Sequence, residues 1–189
     1  MIDLFYQWYI VLKSKNIPGR KLFYKLIKLI VNVVYPILIP FHHELGVDPN
    51  SNVIISLTSF PARIRTTYIT IDTLLEQTQK PQKVILYLAE SQFKNREKDL
   101  PRKLLDLKKR GLEINFCDDL RSHKKYYYAL LDYPDEFILT VDDDMFYPKN
   151  LVKQLYQKNR EYPNTVVCNW GHEITFYEDG KIKPYLNWK

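Results

Sequence analysis

Three consecutive aspartates, Asp142, Asp143 and Asp144, follow an apolar run in the stretch ILTVDDDMFYP, residues 138–148. Adjacent carboxylates repel one another, and each loses heavily if it leaves water unpaired. The triplet therefore predicts a positive counterpart. In an extended segment residues two apart project to the same side, which sends Asp142 and Asp144 toward one site and Asp143 elsewhere. Hard carboxylate oxygens at that spacing suit Mg²⁺ or Mn²⁺, ions that complete their shells with phosphate oxygens and water. A diphosphate ligand is the natural partner. Arg63, Arg121, Lys124 and Lys125 are the cations placed to meet its phosphates and to steady a departing phosphate. Against these readings stand an exposed turn for the triplet and ordinary solvated side chains for the cations.

The elements that must position these residues alternate in type. Apolar runs at 53–60, 83–89, 112–118 and 136–141 read as buried strands, and helical patterns lie between them at 66–78, 100–111 and 123–133. Thr66 or Thr67 is available to cap the first helix, while Pro101 and Gly111 bracket the second. Nearly continuous apolar strands alternating with helices predict an α/β fold with a mostly parallel sheet covered on both faces. Ligands of such sheets bind beyond the carboxyl ends of the strands. The stretches TSFPAR, AESQF, CDDLRSHKK and DDDMFYP all fall at that rim.

The net charge of the 189-residue chain is +6. Residues 1–41 hold six basic residues against Asp3, so +5 of that charge belongs to the N-terminal segment. The folded body is close to neutral and carries no nucleic-acid-binding motif, which argues against a nucleic-acid partner. Within residues 20–41, Lys21, Lys25 and Lys28 recur at helical spacing among Leu, Ile and Phe, the pattern of an amphipathic helix. Its apolar run is interrupted by charge and by Pro36, and no small-residue cleavage site follows it, so neither a membrane span nor a signal peptide is expected. Two readings stay open: docking on an anionic membrane surface, or packing on the main domain through the same face. The expected organisation is a basic helical segment over 1–41, a linker over 42–52 containing Gly46, Pro49, Asn50 and Asn52, and the main domain over 53–189.

Other chemistries find less support. Cys117 and Cys168 lack zinc or disulfide spacing and point to a reducing, intracellular setting. His42, His43, His123 and His172 form no pair at metal-ligand spacing. No nucleophile elbow, glycine-rich phosphate loop or dinucleotide fingerprint is present. A phosphatase of the haloacid dehalogenase type also has aspartates two apart after a strand. It wants a small hydroxyl residue where this chain has Phe146, and it carries the motif at the first strand.

Taken together, VIISLTSFPARI, CDDLRSHKKYYYAL and ILTVDDDMFYP resemble the nucleotide loop, basic segment and DXD motif of GT-A fold glycosyltransferases. The resemblance is to the bacterial family 2-like enzymes of capsule and surface polysaccharide synthesis, and it covers residues 53 to about 188. It implies transfer of a sugar from a nucleotide-diphosphate donor, UDP being the commonest, to a saccharide or lipid-linked saccharide acceptor, with Mn²⁺ or Mg²⁺ on the diphosphate. With the cysteine usage and the basic N-terminal segment, the expected place of work is the cytoplasmic side, peripheral to the inner face of the cell membrane.

Carried over by position, Thr58, Ser59 and Arg63 would line the nucleotide pocket, Asp118 would approach the base or ribose, and Lys124 would contact the phosphates. Asp142 would lie near the ribose or metal, Asp143 at the donor, and Asp144 would be the principal metal ligand. Glu90 stands where many members have an aspartate for the base. The resembling enzymes continue past the equivalent of Lys189 with an acceptor loop and the general base of inverting transfer. No base is assigned here, because nothing around Glu173 or Asp179 singles either out. The alternative expectation is a catalytically incomplete, transferase-like module that binds membrane or a partner through residues 1–41.

Overall fold

The computed structural model describes residues 20–169 and 171–189. The described residues up to Lys153 form one compact unit and those of Gln154–Lys189 a second. Expectations for residues 1–19 lie outside the described residues.

The first unit is an α/β structure around a four-stranded, all-parallel sheet. Helix α1, Arg20–Leu38, and a 3₁₀ turn, Ile39–Phe41, precede strand β1, Val53–Thr58. Then follow α2, Ile64–Leu75; β2, Lys83–Ala89; α3, Arg102–Asp106; β3, Leu112–Cys117; α4, Lys124–Asp132; and β4, Phe137–Thr140. Helix α5 occupies Leu151–Glu161. The spatial order is β3-β2-β1-β4. Chain direction across the sheet therefore reverses between β1 and β4, and a parallel sheet opens a crevice at the carboxyl ends of two such strands.

The central strands are buried on both faces, as their apolar runs require: every residue of Val53–Leu57 and of Val84–Ala89 is buried. On one face Ile54, Ile85 and Tyr87 pack against Ala129 of α4. The Ser56 hydroxyl donates to the Lys125 carbonyl and the Tyr87 hydroxyl to Asp132, at 2.5 and 2.8 Å. Ile71, Leu74 and Leu75 form the buried side of α2.

Several elements differ from the sequence expectation in extent. Strand β1 ends at Thr58, which leaves Ser59 and Phe60 in the following turn, and α2 begins at Ile64. The helix expected over 100–111 is a short α-helix, Arg102–Asp106, continued by a 3₁₀ turn, Leu107–Arg110. That turn closes on Gly111 in the left-handed region, φ 108°. A Cβ there would also stand 2.5 Å from Val47 Cγ2. Gly111→Ala is accordingly expected to cost about 1–3 kcal/mol, read as a fall in the urea midpoint at unchanged slope. An unchanged midpoint would show that the turn relaxes freely.

The second unit has little regular structure. Phe176 and Ile182 form an isolated antiparallel bridge, and Glu173 and Lys189 exchange two backbone hydrogen bonds of 2.8 and 3.2 Å. Glu173 and Asp179 belong to this unit.

Candidate functional site

The turn after β1 and the turn after β4 meet at the crevice. The triplet lies beyond the last residue of β4, with Asp143 and Asp144 in a turn where the sequence pattern implied extended chain. Turn geometry still divides the three acids. Asp143 is buried, while the side chains of Asp142 and Asp144 are 67% and 50% exposed.

The expected positive counterparts are provided by the protein. Arg63 Nη1 sits 2.9 Å from Asp143 Oδ1 and 2.9 Å from Asp144 Oδ2, one guanidinium bridging two acids. Those carboxylates, the Asp143 hydrogen bond foremost, raise the Arg63 pKa above its ordinary value. Lys125 Nζ lies 2.8 Å from Asp142 Oδ1. The Ser59 hydroxyl donates to Asp143 Oδ2 at 2.5 Å, and Thr70 donates to the Asp143 carbonyl at 3.0 Å. Asp143 is thus a buried peg that locks the β4 turn onto the β1 turn and α2. Its burial is tolerable because each carboxylate oxygen has a donor.

A cleft of about 430 Å³ opens there, a size ordinary for small-molecule sites. Of the residues proposed from sequence it brings together Thr58, Ser59, Arg63, Lys124, Asp142 and Asp143, and also Arg121 and Lys125. The Thr58 hydroxyl itself donates into the sheet, to the Tyr87 carbonyl at 2.8 Å. Asp144 is not among these residues, and neither is Asp118. Asp118 lines a separate depression with Glu90, Cys117 and Asp132. Burial pushes the Cys117 thiol there up to about 11, so it holds its proton near neutral pH.

Asp119 takes the place in the cleft that the sequence reading gave to Asp118. Its Oδ1 accepts from Lys124 Nζ at 2.7 Å and from the Arg121 N–H at 2.9 Å. Lys124 first, and then that N–H, hold the Asp119 carboxyl below its usual range. A depressed carboxyl stabilises the fold above its unfolded pKa and loses that contribution as pH falls through the lower, folded value. Lys124 is itself buried, so its charge is fixed at the cleft wall.

Tyr147 was also missed. Its hydroxyl accepts from the Asp142 N–H at 2.8 Å and lies 3.3 Å from the Asp142 carbonyl, pinning the chain beyond the triplet. Burial raises its pKa well above the ordinary phenol value, so it acts as a neutral strut. The only signal for it in sequence was an aromatic residue shortly after three acids.

The donor set fits a hard divalent ion only in part. Among the described residues no group of three or more His, Cys, Asp or Glu side chains is arranged to hold a metal. Mg²⁺ commonly binds through one or two carboxylates and takes its remaining ligands from water and phosphate, a role open to the exposed Asp142 and Asp144. No protein-family model, no curated protein and no solved structure matches the chain.

Proposed function

We propose that this cleft binds the diphosphate of a nucleotide sugar and that the protein is a glycosyltransferase of the GT-A kind, acting at the inner face of the cell membrane. The acceptor is a saccharide or lipid-linked saccharide of surface polysaccharide synthesis. The observation that carries the reading is the clustering of Arg63, Arg121, Lys124 and Lys125 with Asp142 in a cleft at the reversal of strand order. A diphosphate offers oxygens to such cations through charge-assisted hydrogen bonds. Asp142 and Asp144 would hold Mn²⁺ or Mg²⁺, which supplies charge neutralisation for the leaving diphosphate. Arg63 pairs with Asp144 and Lys125 with Asp142. Binding would therefore exchange two protein ion pairs for contacts with ligand.

Calorimetric titration with UDP, and with the other nucleoside diphosphates, tests this. Binding is expected and should strengthen by about tenfold or more when Mn²⁺ is added, a gain of ~1.4 kcal/mol. The gain should disappear in Asp144→Ala. Failure of every nucleoside diphosphate to bind at millimolar concentration, with or without Mn²⁺, would overturn the reading.

A further inference from the structure

Helix α1 presents large apolar residues to solvent. Leu22, Leu26, Leu29, Val33 and Ile37 are 75%, 49%, 61%, 56% and 62% exposed, at steps of four, three, four and four. At ~100° per residue they fall within an arc of about 80°. Phe41, 73% exposed, follows at the end of the 3₁₀ turn. This is a continuous stripe, unlike the scattered single hydrophobes of an ordinary surface.

The helix is tied down elsewhere. Tyr35 is buried, donates to Asp72 at 2.5 Å and meets the Phe146 ring edge-on at 5.7 Å. Packing on the body thus uses Tyr35 and leaves the stripe outward. By the same angular count Lys21, Lys25 and Lys28 fall on one flank of the stripe, about 80–140° from its centre. Beside the end of α1, a hollow of about 420 Å³ is lined by Pro36, Ile39, His43, Lys103 and Lys109 among others. Lys109 is 80% exposed, and its partner Asp106 lies 3.7 Å away. Among the described residues no helix is long and apolar enough to cross a membrane.

We infer that α1 is a docking surface for an anionic lipid bilayer, with the Leu22–Ile37 stripe in the acyl boundary and the lysine flank, joined by Lys103 and Lys109, at the headgroups. Charge complementarity selects this occupant. A partner protein or a second copy of a near-neutral body gives no reason for +5 of the net +6 to lie within residues 1–41. An anionic surface does, since each lysine near it strengthens binding by about fivefold. The inference stands apart from the proposed reaction, because neither the cleft nor its ligands enter it.

Co-sedimentation of the full chain with vesicles tests it. Vesicles of phosphatidylcholine with about one third phosphatidylglycerol should bind at least about tenfold more tightly than pure phosphatidylcholine, and salt should weaken that binding. The Leu26→Glu/Leu29→Glu variant should bind neither, with nucleoside diphosphate titrations unchanged. Lys21→Gln/Lys25→Gln/Lys28→Gln should lose the preference for anionic vesicles. Equal sedimentation of wild type and both variants would overturn the inference. So would a wild-type dimer that Leu26→Glu/Leu29→Glu converts to monomer, since the stripe would then be an interface between copies.

Discussion

Asp72→Ala is expected to lower stability by about 3–5 kcal/mol, the range for breaking a buried ion pair by removing one partner. Asp72 is fully buried, and Arg110, whose Nη1 pairs with its Oδ1, is 5% exposed. The other carboxylate oxygen accepts from Tyr35 and lies 2.8 Å from His42 Nδ1. Burial, with the neighbouring Asp72 charge, raises the Tyr35 pKa far above the usual phenol value, so the hydroxyl remains a donor. Alanine would leave the guanidinium half-paired: Glu76 holds Nη2 at 2.7 Å and the Glu44 carbonyl holds Nε at 3.0 Å. Asp72→Leu combined with Arg110→Met should recover much of the loss, because no uncompensated charge stays inside. Urea unfolding of the single and double variants decides the matter. A single variant within 1 kcal/mol of wild type, on that same scale for a buried pair, would show that water reaches Arg110.

The second large effect concerns the cleft. Lys124→Ala is expected to weaken nucleoside diphosphate binding by about 10- to 100-fold, since a hydrogen bond to a charged group is worth about 1.5–3 kcal/mol. Lys124 is distinguished from its neighbours by burial: its ammonium is held by Asp119 at 2.7 Å and has no freedom to wander into solvent. Its ordering cost is already met by that pairing, which is what makes one cation count for more than another. Arg121→Ala, on an exposed side chain, should cost less than about fivefold. Titrations of both variants at one fixed ionic strength test the ranking. Lys124→Ala binding within twofold of wild type, well below the scale of one charged hydrogen bond, would remove Lys124 from the site.

The layered parallel sheet was legible because both faces of β1 and β2 are covered, so their residues show no polar alternation. The strand order was not legible. Hydrophobic period reports burial and is silent on which strand lies beside which. Helix α5 escaped because only Leu151, Val152 and Leu155 mark its apolar side amid polar residues. The 100–111 helix changes type at Leu107, a distinction of one backbone hydrogen-bond step that side-chain spacing hardly records.

In the site, three acids announced that cations would be near, and Arg63 and Lys125 are there. The particular pairings came from the turn. The resemblance put Asp118 at the donor, whereas the chain bends at once after β3 and delivers Asp119 to Lys124. The role of Asp143 as a peg rests on Ser59, Arg63 and Thr70, residues that no local pattern connects to it.

The strand order also bears on how the chain comes to its fold. Strands β1, β2 and β3 are neighbours in both sequence and space, but β4 must return to the far side of β1. The Ser59–Asp143 hydrogen bond spans 84 positions. Closing that span costs more chain entropy than pairing β1 with β2, and it is offset by the β1–β4 ladder together with the seating of Asp143. A chain stalled at three strands has a buried β2 and an open β1 edge, the kind of unpaired ladder that recruits other chains. The same stroke that completes the cleft therefore seals that edge.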